Sequence, residues 1–347
     1  MHCLLLASNR DDDDGTVVSV FISDLKKKGI HECEVWTIDA EGHKQWERCK
    51  KNPGHLQFIP AKQFSFEHLP EAFRDEEVTA KLVVKYTSLD RPPGYPFHNY
   101  GGTDIPHTGS GFLYCYEYDE IYEYFDLNYM FCPCPECKET DAPRRQWGYV
   151  SVYTAKHVVY DTSEAEKTIV EVNFNDDNQD SGVRILYGIN AISVSNQEEW
   201  TIMECVTHDR DLWVKLYKTY SYLLDLKDRV HEKYWESPSR LCLIVSHPHG
   251  WIKQVTFGKW IKRRVLQVDG NGDELSAYAY DTATCKGSSG APVLILGMRG
   301  AQNGHRTWLS RHHVHSGYKG KYNVSGVESE RNVEPDDQAD SDGHGSG

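Results

Sequence analysis

From about Val78 onward the chain is a succession of short β-prone runs, each ended within a few residues by Gly, Asp or Asn. That rhythm restricts the fold more than any other feature. Ala80-Lys81-Leu82-Val83-Val84-Lys85-Tyr86 is the first clear run, and the Pro/Gly-rich loop Arg91-Pro92-Pro93-Gly94-Tyr95-Pro96 follows it. Many short strands at close spacing imply all-β barrels or sandwiches. The apolar fraction is a modest 39%, but 12% of the residues are aromatic, and large rings can fill the cores such a fold needs. One stretch breaks the rhythm. Leu216, Tyr220, Leu223, Val230 and Tyr234 recur at helical spacing within a charged segment ending near Trp235, which predicts an amphipathic helix packed on a barrel.

The two ends differ from this middle. Residues 1–72 carry no readable motif. Val17–Ile22 and Cys33–Ile38 look like short strands, so this part is an N-terminal extension or small domain. Residues 327–347 hold seven acidic residues against one Arg and are rich in Gly, Ser and Asp, which predicts a disordered acidic tail. Residues 73–326 remain as the principal domain.

The formal net charge is -14, the opposite of the basic face that a nucleic-acid partner requires. No run approaches the roughly 18 apolar residues of a membrane helix. Met1–Ala7 is apolar but short, lacks a basic leader and runs into Asp11–Asp14. The expectation is a cytoplasmic protein with no nucleic-acid and no membrane partner. Its ten cysteines would then be reduced thiols or metal ligands.

The segment Cys285-Lys286-Gly287-Ser288-Ser289-Gly290-Ala291-Pro292-Val293-Leu294-Ile295 carries the chemistry. A serine hydroxyl is a poor nucleophile unless a base takes its proton and donors hold the resulting oxyanion. Small residues around Ser289 let the backbone turn tightly, so that the Gly287 and Ser289 amides point at one spot. The apolar run after Pro292 would anchor the turn to a strand. An α/β-hydrolase elbow needs a second Gly where Ala291 stands, and its His and Asp follow the Ser, whereas the candidates here precede it.

This loop resembles the Gly-x-Ser-Gly-(Gly/Ala/Ser)-Pro nucleophile loop of trypsin-like serine peptidases, with the HtrA-type and glutamyl endopeptidase branch the best fit. Four further segments fall in the family's order. Thr108-Gly109-Ser110-Gly111-Phe112 resembles the opening strand. Thr154-Ala155-Lys156-His157-Val158 resembles the catalytic histidine segment. Asp211-Leu212-Trp213-Val214 resembles the strand whose Asp orients that histidine. Ser246-His247-Pro248-His249-Gly250 resembles a turn before the next strand. The resemblance implies a mainly β, chymotrypsin-like double six-stranded β-barrel with an inserted amphipathic helix. It also implies a triad of His157, Asp211 and Ser289, and an oxyanion hole of Gly287 and Ser289. Asp209 would share a strand face with Asp211, which is chosen because the apolar run begins at Leu212. Such chemistry needs no cofactor, and its partner is a protein or peptide substrate. A fold of this kind can also serve as a catalytically silent binding module.

Two departures carry information. The residue before the nucleophile is Ser288 rather than Asp, so activation by insertion of a new N-terminus is not expected. The chain would be assembled as made or controlled by its extra N-terminal region. Ala283 stands where Arg/Lys-cleaving relatives place an Asp, which disfavours trypsin-like specificity. Thr284 and His315, with Ser316 and Gly317 on the pocket strand, resemble the residues with which glutamyl endopeptidases and picornavirus main proteases select Glu or Gln. His313 shares a face with His315, so a His-rich turn with no selective role stays open.

Cys132-Pro133-Cys134-Pro135-Glu136-Cys137 places three thiols within reach of one ion. Structural zinc would need a fourth ligand, Cys115 or a nearby His. A reduced thiol cluster or redox pair, and a disulfide, are the alternatives.

Overall fold

The computed structural model describes residues 32–33, 36–37, 46–64, 78–115, 131–177, 182–192, 199–234, 237–268, 273–296, 313–319 and 322–331. Three short strands come first: β1 (Glu32–Cys33), β2 (Trp36–Thr37) and β3 (Ile59–Pro60). Two antiparallel barrels follow.

The first is built from β4 (Thr79–Val84), β5 (His107–Tyr114), β6 (Gly148–Ala155), β7 (Thr168–Val172), β8 (Arg184–Ile192) and β9 (Trp200–Thr207). They run in the order β5-β4-β7-β8-β9-β6, and pairing of β6 with β5 closes the ring. The second is built from β10 (Leu241–Ser246), β11 (Gln254–Val268), β12 (Asp273–Tyr280), β13 (Pro292–Ile295), β14 (His313–Lys319) and β15 (Tyr322–Ser325). Their order is β12-β15-β14-β13-β10-β11, closed by β11 on β12. Closure leaves neither barrel with a free edge. This is the chymotrypsin-like double six-stranded barrel that the sequence implies.

The strand patterns explain the cores. On β7, Thr168, Val170 and Val172 are buried while Ile169 and Glu171 are half-buried, the alternation of a strand with one face inward. Leu82, Leu113, Val152, Val170, Leu186 and Met203 fill the first barrel. Ile244, Tyr278, Tyr280 and Val293 cluster in the second. Every residue of β5 is buried, because it lies in the first barrel and also against the nucleophile loop of the second.

Two one-turn helices, α1 (Pro135–Lys138) and α2 (Thr162–Ala165), flank the first barrel. The long helix α3 (Arg210–Tyr234) carries the predicted apolar stripe. Leu212, Leu216, Tyr220 and Leu223 enter the first core, while Val230 and Tyr234 pack against Leu243 and its neighbours in the second. The helix therefore ties the barrels together.

The described pieces of the N-terminal extension are all paired to barrels: β1 to β14, β2 to β5 and β3 to β11. At the other end β16 (Glu328–Arg331) pairs with β12, so the ordered chain continues past the start of the predicted tail. The ladder of β12 accounts for this, since it supplies the partners that an acidic segment lacks on its own. The predicted strand at Val17–Ile22 and the remainder of the tail, 332–347, lie outside the described residues.

Candidate active site

The Ser289 loop sits where the barrels meet. Gly287 has φ +94 and Gly290 φ +85, both in the left-handed region that glycine adopts without strain. A Cβ on Gly287 would lie 2.6 Å from the His247 carbonyl oxygen. One on Gly290 would collide with Thr154 and the Ser110 carbonyl, at the end of the strand that leads to His157. The loop is pinned by Ser110, whose amide donates to the Ser289 carbonyl at 2.8 Å and whose Oγ donates to the Gly287 carbonyl at 2.9 Å. The Gly290 amide donates to the His315 carbonyl at 2.8 Å.

Within this turn the Ser288 amide donates to the Cys285 carbonyl at 2.9 Å, and the Ala291 amide to that of Ser288 at 3.0 Å. The Gly287 and Ser289 amides donate to no group among the described residues. They are the two donors that the sequence assigned to the oxyanion. Ser289 is fully buried, and its Oγ donates to the Ser316 carbonyl at 3.1 Å.

His157 follows β6 in a tight turn, closed by a 2.9 Å bond from the Val158 amide to the Ala155 carbonyl. It is fully buried. A Cβ on Gly109 would touch the Val158 side chain at 2.5 Å and the Ser289 carbonyl at 3.1 Å, so the histidine turn and Ser289 share one strand between them. The His157 carbonyl takes 3.2 Å bonds from both terminal nitrogens of Arg91. Glu164 in turn binds that guanidinium at 2.6 and 2.7 Å.

Asp211 does not join this group. It is exposed in the first turn of α3, beside Arg210, Val214, Lys215, Lys218 and Thr219. The sequence expectation that it orients His157 from a strand is therefore corrected. The apolar run after Asp211 is the start of the helical stripe. Asp209 caps the helix, its Oδ1 accepting from the Leu212 amide at 2.9 Å, and it pairs with Arg184 at 3.0 Å.

Glu199, which sequence reading missed, lies beside the histidine turn through its backbone. It immediately precedes β9, whose register places Trp200 opposite Ala155. Its carbonyl accepts from the Lys156 amide at 3.0 Å. Its Oε2 is buried with no hydrogen-bond partner among the described residues, and the same holds for Ser316 Oγ next to the nucleophile. The available signal was Glu199-Trp200-Thr201-Ile202-Met203, an acid leading an alternating run.

The predicted pocket residues are all buried. Ala283 is buried beside Phe58 and Cys285. Thr284 Oγ1 accepts from Lys51 Nζ at 3.0 Å, and the same ammonium reaches Asn323 Oδ1 at 2.9 Å. His315 Nδ1 lies 2.6 Å from Tyr280 OH. His313 belongs elsewhere, against Tyr278 and Ser325. Gly317 lies on β14, opposite Cys33 of β1.

The cysteine knuckle gains its fourth member from the end of β9. His208 Nε2 lies 3.1, 3.8 and 3.6 Å from the sulfurs of Cys132, Cys134 and Cys137. Zinc bonds of about 2.3 Å to sulfur and 2.0 Å to nitrogen set tetrahedral sulfur–nitrogen separations of about 3.6 Å, so the set fits a metal ion. Amides of Cys137 and Arg144 donate to Cys134 and Cys137 at 3.4 Å, as thiolate ligands require. Cys115, the other expected ligand, is buried in the first core, where burial pushes its thiol up to about 12.

No family profile and no curated protein matches the chain. Among solved structures, the chain is similar to the Rv3671c protease of M. tuberculosis. Its active form is 13% identical with a TM-score of 0.35, over 73% of this chain and 77% of that one. The inactive form is 12% identical with a TM-score of 0.35, over 73% of this chain and 84% of that one. The double-barrel assignment stands on strand order and closure in this molecule.

Proposed function

We propose that the chain is a serine endopeptidase. The observation that carries this reading is the turn at Ser289, where the Gly287 and Ser289 amides flank the hydroxyl and are engaged by no other group described. Ser289 Oγ attacks a peptide carbonyl, and His157 takes its proton. Glu199 replaces Asp211 as the carboxylate that orients His157 and stabilises the imidazolium. The two amides hold the oxyanion. His157 then protonates the leaving amine, and water releases the acyl group by the same route.

Thr284 and His315 select Glu or Gln at the cleaved residue. Tyr280 fixes the His315 ring through Nδ1, which supports a donor role for the opposite nitrogen. Lys51 at Thr284 adds a positive charge that suits a carboxylate. A zinc ion held by Cys132, Cys134, Cys137 and His208 would brace the end of β9. A reducing, cytoplasmic setting accords with the eight cysteines whose side chains are described, none of which is in a disulfide.

The alternative is a catalytically silent module that binds peptides or partners. Full burial of Ser289, with its hydroxyl turned to the Ser316 carbonyl, is the observation that favours it. Peptide-library cleavage by wild type against Ser289→Ala distinguishes the two. Serine-dependent cuts after Glu or Gln support the endopeptidase. Cuts mainly after Arg, Lys or Phe end the specificity assignment, and no cuts by folded protein favour the silent module.

A further inference from the structure

Four side chains that catalysis does not use converge behind the nucleophile loop: Cys49, His55, His249 and Cys285. The two sulfurs are 3.6 Å apart, the two imidazole Nε2 atoms 3.2 Å, and Cys285 Sγ lies 3.4 Å from His55 Nε2. A zinc tetrahedron sets these separations at about 3.8, 3.3 and 3.6 Å. All three distances therefore agree with a two-cysteine, two-histidine site within about 0.2 Å.

The surroundings are those of a ligand shell. Asn52 donates its amide to Cys49 Sγ at 3.4 Å and its side-chain nitrogen to Cys285 Sγ at 3.1 Å. Trp46 stacks on the His55 ring at 3.7 Å. His55 and His249 have φ of 48 and 57, left-handed backbone that a non-glycine residue holds only when its surroundings fix it. We infer that Cys49, His55, His249 and Cys285 form a zinc site clasping residues 46–58 onto the nucleophile loop. The His249 amide binds the Lys286 carbonyl, and Cys285 binds Ser288 through both its carbonyl and its amide. The ion thus holds both approaches to Gly287, and metal loss should loosen the oxyanion turn. That last consequence rests on Ser289 being the nucleophile; metal binding itself does not.

Metal content of the purified full chain tests the site without reference to activity. In the variant Cys132→Ala/Cys134→Ala/Cys137→Ala, about one zinc per chain should remain. Adding Cys49→Ser and His55→Ala should remove it. X-ray absorption at the zinc edge of wild type gives a reading free of mutation. It should fit five thiolates and three imidazoles shared by two ions if both clusters are filled, or two of each around one ion if only this one is. Three thiolates per imidazole, zinc unchanged by Cys49→Ser/His55→Ala, or a Cys49–Cys285 disulfide in wild type would overturn the inference.

Discussion

Arg91 and Glu164 form a doubly hydrogen-bonded ion pair in which neither side chain reaches solvent. The pair is spent on the histidine turn. Arg91 also binds the His157 carbonyl, and Glu164 accepts the Ser88 and Tyr160 amides. Removing one partner leaves a buried charge uncompensated, which costs about 3–5 kcal/mol. Arg91→Ala or Glu164→Ala should therefore lower the urea midpoint sharply. The double variant should be less damaging than the two single effects added together, as a coupled pair requires.

His107 supplies a pH dependence. Its ring stacks on Phe97, and its Nε2 lies 2.8 Å from the Val158 carbonyl. Burial, and then the nearby Arg91, push its pKa down to about 4 from 6.5, with Glu164 opposing. Burial also holds His247 well below the ordinary value. A histidine whose folded pKa is depressed binds more protons unfolded, so stability rises with pH between the two values. Unfolding measured from pH 7 down to 4 should show stability falling through this window, by on the order of 3 kcal/mol from His107. A flat profile over that range would contradict the assignment.

The proposed change of orienting acid, from Asp211 to Glu199, separates two variants. Glu199→Ala should lower kcat by about 10³–10⁴, because the imidazole loses the carboxylate that sets its tautomer. Asp211→Ala should change kcat by less than about twofold, as an exposed helix residue distant from chemistry does. Steady-state kinetics on one Glu-containing peptide suffices. Equal losses from both variants would refute the placement of Glu199.

How much of this was legible follows from the same residues. The β class was, from short strands ended by Gly, Asp and Asn, and the double barrel followed from the resemblance carried by the ordered segments around Ser110, His157 and Ser289. So was the tight turn from Gly287 to Gly290, since its left-handed positions need glycine in a recognisable order. Asp211 misled because an acid before Leu212-Trp213 suits a strand start and a helix start equally. Only the continuation through Leu216, Tyr220 and Leu223 decides, and that stripe extends back to Leu212. Glu199 and His208 stayed hidden because strand register alone brings each to its neighbours, across 42 and 71 or more residues. The Cys49–Cys285 contact spans 236 positions, and no local pattern announces it.

Gly287 allows a test of the oxyanion hole by itself. Its φ of +94 and the 2.6 Å approach to the His247 carbonyl leave no room for a methyl group. Gly287→Ala should rotate the amide away and lower kcat by about a hundredfold or more with a smaller change in KM. An unchanged kcat would show that this amide holds no charge in the transition state.

Labelling by a fluorophosphonate probe, read by intact mass and peptide mapping, tests the endopeptidase most directly. The account predicts one adduct per chain, on Ser289. It predicts no adduct in Ser289→Ala and a strongly slowed reaction in folded His157→Ala. Folded wild type that takes no label, or a label that persists in Ser289→Ala, would contradict it.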